Sequence, residues 1–143
     1  MIKRDTFYVQ TTKTHQYILI TEEVERIVEN SGIKDGVVFV ITNHTTTGIT
    51  VNEALECLES DFKNFMEKLA PDDDGYSHAR YLASYSAMAN NAPCHMRSMV
   101  AGNHCVFNVI DGKLSRRFAQ EIYLDEFDGP QNRSITVTVM GEA

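Results

Sequence analysis

VVFVITNHTTTGITVNEALECLESDFKNFMEKLAP, residues 37–71, holds a strand, a turn, a second strand and a helix in immediate succession. VVFVIT (37–42) is a continuous β-branched run and predicts a central strand buried on both faces. NHTTTG then breaks the run, and GITV (48–51) predicts a further short strand. Beyond it, Leu55, Leu58, Phe62, Phe65, Met66 and Leu69 recur at spacings of three and four, which predicts an amphipathic helix. Pro71 and the acidic turn after it end that helix.

The flanks extend the pattern. FYVQT (7–11) and HQYILI (15–20) read as two strands joined by a Thr/Lys turn. Thr21 then stands as an N-cap, with Glu22 and Glu23 in a first turn where the helix dipole favours them. Val24, Ile27 and Val28 give helical spacing, and Gly32 supplies a left-handed C-cap. After a long irregular stretch (72–99), HCVFNVI (104–110), EIYLDEF (121–127) and RSITVTVM (133–140) predict three strands separated by Asp-Gly turns. Pro93 sits well at a helix start, so a helical turn is expected near Cys94. The order ββαββα-loop-βββ, with hairpins and two helices set aside, indicates α+β rather than alternating α/β.

The 143 residues fit a single domain, 1–143, without repeats or linkers. The net charge of −7 argues against nucleic acid as a general partner, but leaves room for a small anion beside a local pair such as Arg116-Arg117. No apolar run approaches the roughly 20 residues of a membrane span, and the N-terminus lacks an apolar signal core, so a cytoplasmic location is expected. Cys57, Cys94 and Cys105 are odd in number and widely spaced, as expected of reduced thiols.

Chemistry concentrates in the stretch between the quoted strands. His44 exchanges protons or ligates metal, and Thr45, Thr46 and Thr47 carry hydroxyls. Gly48 permits close backbone approach to an anion. The alternative is a turn satisfied by its own hydroxyls. Asn52 and Glu53 stand at the predicted helix start, where capping alone explains them and a shared cavity with His44 is the functional alternative. In CHMRSM (94–99), Arg97 suits a phosphate and Ser98 adds a donor; an ordinary polar turn is the alternative. A site drawing on His44, His78 and His95 would be built across loops, since no two histidines have a helical metal spacing. His15 and His104 are expected to be structural or exposed.

NSGIKDG (30–36), NHTTTGITVNE (43–53), LAPDDDGYSH (69–78), NAPCHMRSM (91–99), QEIYLDEFDGP (120–130) and TVTVMGE (136–142) together resemble the YjbQ-like family, often labelled secondary thiamine-phosphate synthase. The likeness spans nearly the whole chain, in order. It implies an antiparallel β-sandwich core, a homotrimer, and a transferase joining a pyrimidine pyrophosphate to a thiazole phosphate. By the same resemblance His44, His78 and His95 would hold a divalent metal, zinc or magnesium, and His44 and Glu53 would be catalytic. Thr45, Thr46, Thr47, Gly48, Asn52, Asn91, Arg97, Ser98 and Gln120 would bind the phosphorylated small molecule. A non-catalytic trimeric module binding metal or a phosphometabolite is the competing expectation. Arg117, Phe118 and Ala119 depart from the family's Gly-Thr-Trp before Gln120, which implies an altered pocket wall.

Overall fold

The structure, a computed structural model, describes residues 1–72 and 91–143. In chain order its elements are β1 (Ile2–Gln10), β2 (Gln16–Leu19), α1 (Thr21–Asn30), β3 (Asp35–Thr42), β4 (Thr47–Asn52), α2 (Glu56–Leu69), α3 (Ala92–Ala101), β5 (His104–Ile110), β6 (Lys113–Ser115), β7 (Glu121–Glu126) and β8 (Asn132–Glu142). A five-stranded sheet has the order β1-β8-β3-β5-β6, and a three-stranded sheet the order β2-β7-β4. Every pairing is antiparallel. The α+β class therefore holds, with two sheets enclosing one core.

Period-two alternation builds that core. Val38 and Val40 of β3, Ile135, Val137 and Val139 of β8, and Phe107 and Val109 of β5 point inward from the large sheet. Ile49 of β4 with Ile122 and Leu124 of β7 meet them from the small sheet. Val24, Ile27 and Val28 join α1 to the same core, each contributing roughly 1.5–3 kcal/mol of apolar burial.

Several expectations are corrected. The strands expected at 7–11 and 15–20 both exist, but they do not pair: β1 joins β8 in the large sheet and β2 joins β7 in the small one. Their alternation fixes which face is apolar, and says nothing about which sheet supplies the partner. Strand β3 is central, but it is fully buried on one face only, with Val37, Phe39 and Ile41 half-buried on the other. A short β6 extends the sheet beyond the expected strands; Asp111 and Gly112 both have positive φ (52° and 76°), the backbone of a tight hairpin turn.

Thr21 is not an N-cap. Ile20 holds that position without a side-chain bond, and the Thr21 hydroxyl instead donates to Glu121 (3.1 Å) and accepts the Ile122 N–H (2.9 Å), tying α1 to β7. Asn52 does not cap α2 either, because it ends β4 and Leu55 stands at the helix entry. A third helix, α3, carries Pro93 in its first turn and extends the helical turn expected near Cys94.

Helix α2 rests on the outer face of the small sheet. Phe62 meets the rings of Tyr17 (5.6 Å between centroids) and Tyr123 (6.3 Å), and the Tyr123 hydroxyl donates to Glu59 (2.6 Å). Only Met66 of its apolar stripe is fully buried among the described residues, while Leu55, Phe65 and Leu69 stay about half exposed. A sheet three strands wide offers too narrow a bed for the whole stripe. No described helix is long and apolar enough to cross a membrane.

Candidate functional site

The turn after β3 is held by its own side chains. The Thr42 and Thr47 hydroxyls bond each other at 2.6 Å, and the Ser98 hydroxyl of α3 donates to the Thr47 carbonyl at 2.5 Å. Gly48 is needed for packing: a Cβ there would lie 2.5 Å from the Ala101 Cβ and 3.1 Å from the Gly102 carbonyl. The Ile49 N–H donates to that same carbonyl (3.0 Å), so the end of α3 is clamped across the start of β4. This contact brings His95 of α3 beside the His44 turn.

His44 and His95 line one cavity of about 700 Å³, together with Thr45, Ser98, Met96 and Met99. Backbone groups engage opposite nitrogens of the two rings. The Ser134 backbone N–H donates to His44 Nε2 at 2.9 Å, so Nε2 is an acceptor and the neutral ring carries its proton on Nδ1. Burial, and secondarily the Arg133 guanidinium, hold the His44 pKa below its ordinary value. His95 Nδ1 lies 3.2 Å from the Thr45 carbonyl, an acceptor only, so here Nδ1 carries the proton and the lone pair belongs to Nε2. One nitrogen of each ring is thus fixed by a backbone group, and both rings carry a proton on Nδ1.

Behind this pair lies a buried ion pair. Arg133 donates through Nε to Glu126 Oε1 (2.8 Å) and through Nη2 to Oε2 (2.5 Å). The Thr11 hydroxyl (2.7 Å) and the Asp128 N–H (3.0 Å) complete the carboxylate's partners, and Arg133 also reaches the Thr46 hydroxyl (2.8 Å). With every lone pair engaged, the burial of both charges is compensated. The pair anchors the start of β8, and the next residue, Ser134, is the one that orients His44. Sequence reasoning missed Glu126, Arg133 and Ser134. The available signal was parity: Glu126 shares a face with Ile122 and Leu124, and Arg133 with Ile135, Val137 and Val139, which places two opposite charges in the core.

The other site expectations separate by position. Thr45 is exposed at the cavity, whereas Thr46 and Thr47 are buried with their hydroxyls engaged as above. Arg97 is buried and donates to the Ala70 carbonyl (2.8 Å) and Asp72 (3.1 Å), which ties α3 to the end of α2. Asn91 donates to Asp128 at 3.0 Å and is not part of the cavity wall. Asn52, Glu53 and Gln120 gather at the far end of β4, because Asn52 pairs with Glu121. At about 3.3 Å per residue that end is roughly 17 Å from Thr47. There the Asn52 side chain accepts the Glu53 N–H (2.9 Å) and the Gln120 side chain accepts the Arg117 N–H (2.8 Å). Phe118 of the same loop projects almost wholly into solvent. His78 lies outside the described residues.

Among the described residues no three His, Cys, Asp or Glu side chains converge, and His44 Nε2 is already occupied by a backbone N–H. Of the three thiols, Cys57 is exposed on α2, and burial pushes Cys94 up to about 11 and Cys105 up to about 12. His104 is exposed beside Asn103, as expected, and His15 is structural, packed against Tyr17 and Phe127.

The model of one family, described as UPF0047 protein YjbQ-like, matches residues 5–142. The chain is 39% identical over 132 residues to a UPF0047 protein of Archaeoglobus fulgidus, covering 92% of this chain and 97% of that one. It is 35% identical over 136 residues to the UPF0047 protein YugU of Bacillus subtilis, covering 95% and 98%. The crystal structure of a YbjQ-like protein of unknown function from Sulfolobus solfataricus P2 superposes with a TM-score of 0.90 at 33% identity, covering 99% of both chains. A yjbq/upf0047 family protein of Clostridium acetobutylicum gives a TM-score of 0.85 at 31% identity, covering 95% of this chain and 99% of that one.

Proposed function

The chain belongs to the YjbQ-like UPF0047 family, and on that basis we propose that it is an enzyme acting on a phosphorylated small molecule in the His44–His95 cavity. What supports this reading is that two histidines line one cavity, each with one ring nitrogen held by a backbone group. In this reading the His44 ring N–H donates to a phosphate or a departing pyrophosphate, and His95 exchanges the proton. The Thr45 hydroxyl adds a donor on the same wall. In a thiamine-phosphate synthase-type reaction a C–N bond to the thiazole forms as the C–O bond to pyrophosphate breaks. His44 would stabilise the charge that develops on the leaving group.

A homotrimer belongs to the same proposal. Val37, Phe39 and Ile41 on β3, Val106 and Ile110 on β5 and Met140 on β8 form an apolar outer face on the large sheet, uncovered by any other described element. A second copy would cover this face. The three-histidine metal site implied by the resemblance depends on His78, and requires His44 to release the Ser134 N–H.

The test is a turnover assay with the pyrimidine pyrophosphate and thiazole phosphate, run beside pyrophosphate binding by calorimetry. The reading predicts turnover by the native protein and loss of both turnover and binding in His44→Ala and His95→Ala. Binding without turnover would leave the non-catalytic module as the function. Unchanged pyrophosphate affinity in both variants overturns the site. Light scattering that shows a monomer overturns the trimer, and metal analysis of the untagged protein decides the metal.

A further inference from the structure

On the face of the small sheet that meets α2, a carboxyl group is buried without a cation. Asp125 of β7 is 1% exposed, and among the described residues its only hydrogen-bond partner is the Thr50 hydroxyl, 3.0 and 2.9 Å from its two oxygens. No basic side chain of the described residues pairs with it. It forms part of the wall of a cavity of about 160 Å³ beneath α2, together with the rings of Tyr17, Phe62 and Phe65. The polar ends of the neighbouring tyrosines are committed elsewhere: the Tyr17 hydroxyl bonds His15 (2.9 Å) and the Tyr123 hydroxyl bonds Glu59. Ring surface rather than hydroxyl therefore faces the space. Phe65 stands at the mouth, 58% exposed.

An isolated carboxyl in such surroundings has two ways to avoid the cost of a buried charge. It stays protonated, or it receives a cation. Aromatic faces around an anion are the surroundings that suit an organic cation, whose alkyl groups pack on the rings while its charge meets both the ring quadrupole and the carboxylate. A metal ion would find too few oxygens here, since the wall supplies one carboxylate, one hydroxyl and the Asn52 amide. The small volume, below the usual range for drug-sized ligands, limits the occupant to a few heavy atoms.

We infer that the cavity beneath α2 binds a small organic ammonium ion, with Asp125 as counter-ion and the rings of Tyr17 and Phe62 as its cage. Thr50 holds the carboxyl in place. Its lining shares no residue with that of the His44 cavity, where the phosphate chemistry is proposed.

The probe is propylammonium chloride, with 1-propanol as its uncharged analogue and sodium chloride as the ionic-strength control. Binding to the full chain is followed by saturation-transfer NMR. Saturable binding of propylammonium at least tenfold tighter than propanol is expected. In Asp125→Asn, which keeps a group able to bond Thr50, the preference disappears. In Phe62→Leu, which keeps the apolar volume and removes the ring, propylammonium binding weakens several-fold while propanol binding changes little. Equal binding of the two probes, no saturable binding by the native protein, or full retention of the preference in a folded Asp125→Asn variant overturns the inference.

Discussion

The same buried acid leads to a sharp prediction about stability. Burial raises the Asp125 carboxyl to about 8, opposed only by the Thr50 hydrogen bond. In the unfolded chain the group titrates near ~3.9. A carboxyl raised on folding leaves stability intact below its unfolded value and removes it as pH climbs towards its folded value, because the unfolded chain ionises freely and the folded one does not. Each pH unit in that window costs about 1.4 kcal/mol. Between pH ~4.5 and ~7.5 the native protein should therefore lose about 4 kcal/mol from this residue. Asp125→Asn has no such proton to lose.

The native profile alone hides the effect. His15 is also buried, and its pKa is lowered to about 4, by burial first and by Arg97 next. A histidine depressed in this way loses stability as pH falls from ~6.5 towards 4, so over ~4–6.5 its slope opposes that of Asp125. Comparison with the variant cancels His15. Urea unfolding of both proteins at fixed concentration, followed by circular dichroism, should show Asp125→Asn gaining about 4 kcal/mol on the native protein between pH ~4.5 and ~7.5. Parallel profiles, differing by less than ~1 kcal/mol in their pH trend, would refute the reasoning, because they require an ionised Asp125 in the folded protein.

Three further outcomes follow from contacts already described. Arg133→Met strands the Glu126 carboxylate in the core and should cost about 3–5 kcal/mol in urea unfolding, with a smaller loss in a double variant that also carries Glu126→Gln. Gly48→Ala sets a methyl 2.5 Å from the Ala101 Cβ and should cost about 1–3 kcal/mol of overpacking, partly restored by Ala101→Gly, which removes the opposing atom. His44 should appear in nitrogen-detected NMR at neutral pH as the Nδ1–H tautomer, with its Nε2 resonance perturbed by the Ser134 bond; an Nε2–H tautomer would remove the basis for its donor role.

Much of the fold follows from local chemistry. The strand runs at 37–42 and 133–140, the helix pattern that resolves into α2, and the Gly32 stop of α1 (φ 75°) all lie where side-chain spacing and backbone preference put them. The turn residues behaved likewise at Asp111-Gly112. Sheet partners did not, because β1 and β2 carry the same kind of alternation and only the closing of the core sends one to β8 and the other to β7.

The candidate site divides in the same way. Sequence by itself singled out His44, the threonine turn and His95, because a histidine among hydroxyls and a helix entry at Pro93 are locally unusual. It could not show that Gly48 serves the crossing of α3. Nor could it show that Arg97 is taken up by Ala70 and Asp72. Glu53 looked adjacent to His44 because only nine positions separate them. An extended β4 turns those few residues into a long distance, whereas α3 folds back to set His95 against Thr45, fifty positions away. Residue types and their local spacing therefore named the chemistry. Which of those residues meet, and which nitrogen of each histidine a backbone group engages, was decided by segments distant in sequence, whose positions only the packed fold determines.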